Sequence, residues 1–180
     1  MHVDGHTDFR HPGNSDDCAS VAGEDLAAAV GLHWPDVSDI DGAGPYFDPA
    51  RTAHMGCRDD DAELAEVRAV VGTVLPTSEW RARGTAAVVD ALQTTADAAG
   101  YWLQVDVDVL DPTVMPAVDS PDPGGSTAEE LIELLRGLAP RAVGASVTVY
   151  DPDLDPDGTH AHLLADVLTA GLGDLGCALQ

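Results

Sequence analysis

The segment Tyr101 to Val109 constrains the fold more than any other. Trp102, Leu103, Val105, Val107 and Val109 form a nearly continuous β-favouring apolar run that stops at Asp111-Pro112. Such a strand belongs inside a parallel sheet covered on both faces, because only there is the whole run kept from water. Asp106 and Asp108 nevertheless stand within its last residues. At i and i+2 on an extended chain their carboxylates point the same way, and buried carboxylates must be paired, protonated or bound to a cation.

The remaining pattern alternates short strands with amphipathic helices, which predicts an α/β fold with a mostly parallel sheet, in a single domain over residues 1–180. Further strands are expected at Val71 to Leu75 and Ala142 to Tyr150. Helices are expected at Gly23 to Val30, Asp61 to Val71, Gly84 to Ala99, Thr127 to Leu138 and His160 to Thr169. The fourth is the best marked: Thr127 and Glu130 form a capping box ahead of Leu131, Ile132, Leu134 and Leu135, and Gly137 and Pro140 end it. Pro/Gly-rich stretches at His33 to Pro49, Pro112 to Gly125 and Asp151 to Gly158 read as loops. Two of them follow strands, where open α/β sheets build their sites. Val3 leads straight into Asp4, leaving the first strand far short of the usual length of about 5 to 6 residues, so the natural domain is expected to begin further upstream.

Eight basic residues, all arginine, face 32 acidic ones, for a formal charge of -24. That balance excludes nucleic acid as a partner and disfavours acidic substrates. It favours metal ions and small cationic ligands, although most of the charge reads as a solvated surface. No apolar run reaches the roughly 18 to 20 residues needed to cross a bilayer, and the start lacks the basic and apolar regions of a signal peptide. A cytoplasmic protein is expected. Cys18, Cys57 and Cys177 show no paired spacing and read as free thiols.

Asp4, His6 and Asp8 stand at i, i+2 and i+4, so an extended segment would turn all three to one face. With Asp106 and Asp108 they make five ligand-type groups from two strand ends, mutually repulsive unless a cation joins them. Carboxylates with one imidazole suit Mn(II), with Zn(II), Co(II) or Fe(II) open by ligand type. Four carboxylates could bridge two ions about 3.5 to 4 Å apart and hold a hydroxide between them.

These blocks resemble the arginase, agmatinase and formiminoglutamase (ureohydrolase) family. Asp4-Gly5-His6-Thr7-Asp8 is similar to its D-A-H-x-D motif. Asp106-Val107-Asp108 through Asp111-Pro112, with Pro116-Ala117 and Pro123-Gly124-Gly125, is similar to its D-V-D-x-x-D-P...P-A...P-G-G signature. Gly56-Cys57-Arg58-Asp59-Asp60-Asp61 through Glu63 resembles G-x-R-D-x-D...E. The resemblance implies a three-layer αβα, arginase-like fold whose N-terminal part is missing. It implies two Mn(II) ions, one held by Asp4, Asp8 and Asp106, the other by Asp4, His6, Asp106 and Asp108. Asp61 would help hold the substrate's amino group. The implied reaction is hydrolysis of a non-peptide carbon–nitrogen bond in a guanidino or amidino molecule by a metal-bridging hydroxide, oriented by Asp8. Oligomers are frequent in such families, so a homo-oligomer stays open.

Three departures accompany the match. The family's G-G-D-H histidine precedes the first motif and lies outside this chain. Its H-G-x-P shuttle histidine is replaced by Ala19-Ser20-Val21-Ala22, with His11 as a substitute or a plain loop residue. Val149 stands where an E-x-N-P element would bring an acid to the guanidinium. Ordinary arginase activity is therefore not expected. The alternative is a non-catalytic, truncated arginase-like protein that binds metal or assembles with a partner. A metallophosphoesterase, imitated by Asp4-x-His6 and His160-Ala161-His162, lacks its central motifs. His33, His54, His160 and His162 read as solvated, Trp34, Trp80 and Trp102 as core, and Asp151, Asp153, Asp155 and Asp157 as solvated turn residues rather than a calcium loop.

Overall fold

The computed structural model describes residues 1–96 and 98–179. Strands β1 (His2–Val3), β2 (Ala53–Met55), β3 (Thr73–Leu75), β4 (Tyr101–Asp106) and β5 (Ala142–Thr148) form one sheet in the order β3-β2-β1-β4-β5. Every pairing is parallel. The two-residue β1 thus occupies the centre, and the ladder runs on past it, with Asp4 N–H donating to the Met55 carbonyl at 3.0 Å.

Helices α1 (Asp25–Ala29), α2 (Pro35–Ser38), α3 (Leu64–Val70), α4 (Thr77–Arg83), α5 (Thr85–Thr95), α6 (Ala128–Leu138) and α7 (Thr159–Leu172) flank the sheet. Val3, Met55, Leu75, Leu103 and Val105 pack on Val88 and Leu92 of α5, Leu131, Leu134 and Leu135 of α6, and Leu164 and Val167 of α7. Val74, next to Leu75 and so on the opposite face, joins Phe9, Leu26, Ala27, Val30 and Val67 from the α1 and α3 side. The capping box of α6 forms as expected, Thr127 Oγ1 accepting from Glu130 N–H at 3.2 Å and the Glu130 carboxylate from Thr127 N–H at 2.9 Å. No helix among the described residues is long and apolar enough to cross a membrane.

Several boundaries differ from expectation. β4 stops at Asp106, and Val107–Val109 turn into a 3-10 helix because the Asp106 side chain accepts from Asp108 N–H and bends the chain. β5 ends at Thr148 and β3 begins at Thr73, while β2 was too short to stand out in the sequence. α5 ends at Thr95, and position 97 of the longer expected helix lies outside the described residues. Trp80 is buried, but Trp34 and Trp102 are 51% and 45% exposed. Trp102 alternates with buried Leu103 and projects on the face that α1 leaves partly open, its Nε1 donating to Ser146 Oγ at 3.0 Å.

Candidate metal centre

The site lies at the C-terminal ends of β1 and β4, the two neighbouring central strands. Their register pairs His2 with Gln104 and Val3 with Val105, so the next step sets Asp4 beside Asp106. Beyond that point neither chain stays extended. Asp4 Oδ1 accepts from His6 N–H at 2.7 Å, and Asp106 Oδ1 accepts from Asp108 N–H at 3.0 Å, folding each loop back over its strand end. Gly5 N–H donates to Asp108 Oδ1 at 3.0 Å and ties the two loops together. A Cβ at Gly5 would sit 2.6 Å from the Asp108 carbonyl oxygen, so this approach needs a glycine.

Asp4, His6 and Asp8 do converge, with ligand atoms within 4.8 Å of one another, but through a loop in which Asp8 adopts φ 45° rather than along a strand face. Asp4, Asp106 and Asp108 form a second such group, all three buried. His6 Nδ1 lies 2.9 Å from Asp108 Oδ2 and its Nε2 is 3.2 Å from Asp122 Oδ2. The donor set of oxygens and one imidazole fits a divalent cation.

The electrostatics say the same. Burial, reinforced by Asp8, Asp108 and Asp106, holds Asp4 well above the carboxylate range. Burial and neighbouring Asp25 and Asp108 push Asp8 up to about 8; burial and Asp108 push Asp106 up to about 8. The hydrogen bond to Asp108 raises His6 to about 9. Without a cation the cluster must keep protons that ordinary aspartates release.

The site opens into a cavity of about 430 Å³ lined by His6, Asp8, Asp61, Asp106 and Asp108, with Arg10, Asp119 and Val149 farther round its wall. Asp61 reaches this wall while its carboxylate accepts from Thr7 N–H (2.9 Å), Thr7 Oγ1 (2.7 Å) and Glu63 N–H (3.0 Å), so it also pins the loop between His6 and Asp8. Val149 has φ 76°, which is strained for a β-branched residue. His11 does not line the cavity: its Nε2 contacts Glu66 at 3.0 Å and its Nδ1 accepts from Gly13 N–H. His54 is fully buried and the side chain of half-buried His33, 2.9 Å from Glu24, is turned inward, because each meets a polar partner inside the fold. Asp155 is likewise buried, accepting from Tyr150 Oη and Ala161 N–H. Gly124 takes φ 96° beside Asp111, whose carboxylate accepts from its N–H, in keeping with a tight turn.

Sequence reasoning passed over His2, Arg10, Asp25 and the supporting role of Arg58. Buried Arg58 donates to the Asp108 carbonyl at 2.9 Å and the Asp122 carbonyl at 2.6 Å, holding the loop after β4 against the end of β2. The alternating series that contains Asp4, His6 and Asp8 in fact starts at His2 and ends at Arg10. That periodicity could have found both.

A sequence model described as the Arginase family matches residues 1–173. Guanidinopropionase of Pseudomonas aeruginosa is 34% identical over 124 residues, 64% of this chain and 37% of that protein. N(omega)-hydroxy-L-arginine amidinohydrolase of Streptomyces lavendulae is 29% identical over 87% of this chain and 53% of its own length. The arginase structure from Bacillus caldovelox superposes with a TM-score of 0.83 at 26% identity, covering 96% of this chain and 60% of the other. The chain therefore spans about a third to three-fifths of these relatives.

Proposed function

The chain belongs to the arginase family, and we propose that it is a metal-dependent hydrolase cleaving a non-peptide carbon–nitrogen bond of a guanidino or amidino small molecule. The observation that carries this reading is the convergence of Asp4, His6, Asp8, Asp106 and Asp108 at two central strand ends, open to a cavity. These residues would hold two Mn(II) ions, Asp4 and Asp106 being shared. When bound, such ions supply Lewis acidity and activate water at neutral pH.

The chain's own groups do the rest. Asp8, at the cavity wall, accepts the proton of the attacking water as a hydrogen bond and orients it. Asp61 keeps Thr7 fixed between His6 and Asp8 and presents its remaining lone pair to the substrate's amino group. Arg10 supplies the one guanidinium among the described lining residues. It suits a substrate carrying a carboxylate at the end away from the reacting carbon, so guanidino acids are preferred over guanidino amines. Without an acid at Val149 the guanidinium is held more weakly than a glutamate would hold it, and ordinary arginase turnover is not part of this reading. A cytoplasmic setting is part of it.

The test is Mn(II) loading of the chain, elemental analysis, and urea or amine release from a panel of guanidino and amidino compounds, with Asp8→Asn and Asp108→Asn as controls. Release at an enzymatic rate that both controls abolish supports the hydrolase. Stoichiometric metal with no turnover on any compound favours the second reading, a non-catalytic metal-binding member of the family, which Val149 in the cavity wall supports.

A further inference from the structure

We propose that His2, Asp8 and Asp25 form a cation-binding set adjoining the Asp4, His6, Asp106 and Asp108 cluster, so that His2 gives the centre an imidazole ligand from within β1. This deepens the metal-centre reading above and rests on it. None of the family motifs in the chain assigns a role to His2 or Asp25.

His2 is 5% exposed, and its Nε2 is a buried nitrogen without a hydrogen bond. That atom lies 3.4 Å from Asp4 Oδ2 and 3.4 Å from Asp25 Oδ1. Asp25 Oδ1 is itself buried and without a hydrogen bond. One ligand atom from each of His2, Asp8 and Asp25 falls within 4.8 Å of the others. Donors that share one ion at about 2.1 Å stand about 3 to 4 Å apart, so the observed spacing admits an ion with little movement.

The other side of the ring makes the same point. His2 Nδ1 is 2.8 Å from His54 Nδ1, a buried contact in which one nitrogen donates and the other accepts. With His2 as the donor, its Nε2 carries a lone pair aimed at carboxylate oxygens, which are acceptors too. Acceptors that converge in this way need a proton or a cation between them, and a shared cation satisfies all of them at once. Metal-bound histidines characteristically donate their second ring N–H to a partner that fixes the tautomer, and His54 is placed to be that partner. The rival arrangement, His54 donating and a protonated His2 paired with Asp4 and Asp25, fills the same space without metal.

Co(II) titration of the full chain separates the two, read by metal content, by the visible spectrum and by NMR of paramagnetically shifted imidazole N–H protons. Expected for the wild type are two ions and two shifted imidazole N–H signals, from His2 and His6. His2→Gln should lose one signal, and both His2→Gln and Asp25→Asn should weaken one binding step at least tenfold. Asp25 is 39% exposed at its side chain, so Asp25→Asn keeps the test sound if His2→Gln fails to fold. Wild-type affinity in Asp25→Asn together with a single shifted signal in the wild type overturns the inference while leaving the metal centre standing, provided Asp108→Asn still abolishes binding. No Co(II) binding by the wild type overturns both.

Discussion

The metal-free protein should lose stability as pH rises from 5 to 8. Asp8 and Asp106 are each pushed from an ordinary value of 3.8 up to about 8, chiefly by burial. Across this window the folded chain keeps a proton that the unfolded chain has released, so the native state binds more protons and stability falls with pH. The neighbouring aspartates compete to ionise, so one retained proton is counted for the cluster. That gives a slope of about 1.4 kcal/mol per pH unit, or ~4 kcal/mol over three units. For a chain of this size, ~4 kcal/mol corresponds to a fall in Tm of roughly 8 to 16 °C. His6, raised to about 9, adds the same sign, because its stabilisation is complete below its ordinary 6.5 and is lost as pH passes through its folded value. Calorimetry of chelator-treated protein at pH 5 and 8 measures the slope, with Asp106→Asn as the comparison. The variant should melt higher than the wild type at pH 8 and show a flatter profile. Mn(II) at about a hundred times its Kd should add ~2.7 kcal/mol at pH 8. A wild-type Tm that rises between pH 5 and 8, or a slope unchanged in Asp106→Asn, refutes the reasoning.

Arg10→Ala should raise KM several-fold for guanidino acids and leave guanidino amines unaffected, as steady-state kinetics on matched substrates would reveal; equal losses on both would remove the carboxylate contact. Arg58→Met, which leaves the Asp108 and Asp122 carbonyls without their buried donor, should cost about 2 to 4 kcal/mol in urea denaturation and weaken metal binding in a calorimetric titration. A fully stable variant with unchanged affinity would mean that Arg58 does not hold the loop.

The candidate centre could be picked out because residue types able to hold a cation stand at fixed spacing: Asp4, His6 and Asp8 alternate along the first segment, and Asp106 and Asp108 interrupt an apolar run. Their local geometry could not. Periodicity assigns Asp4 to Asp8 and Asp106 to Asp108 to extended chain, yet in both places an aspartate side chain accepts from the backbone two residues on and converts the strand end into a turn. Such competition between side chain and ladder leaves no mark in an alternation pattern. β1 and β2 were hard to see for another reason: central strands of two and three residues carry too few positions to establish a period, and their place is set by neighbours far along the chain. His33 and His54 were misjudged for want of partners, whereas His162 is exposed as expected. Whether His54 is solvated or buried depends on His2 lying across the sheet, which only the register reveals.

The two oxygens of each central aspartate do different work, and this division is what the proposed metal centre requires and a mere scaffold would not. Asp4 Oδ1, Asp106 Oδ1 and Asp108 Oδ1 accept from the backbone N–H groups of His6, Asp108 and Gly5, and these bonds fold both loops. An asparagine's carbonyl oxygen could make every one of them. The second oxygens meet Thr148 Oγ1 at Asp106, His6 Nδ1 at Asp108 and the His2 ring at Asp4, contacts that turn them toward the shared interior of the site. Three carboxyl groups brought there, which must hold protons or face one another's charge, cost the fold stability, since neutral amides would hold the same turns at lower cost. What they gain is orientation: each oxygen facing the site is fixed because its twin is anchored to the backbone, which is how protein ligands are pre-set for a cation. It follows that Asn at these positions should spare the loops while removing the ion, whereas Ala should damage both, so backbone hydrogen exchange at Gly5, His6 and Asp108 will stay slow in the first set and quicken in the second.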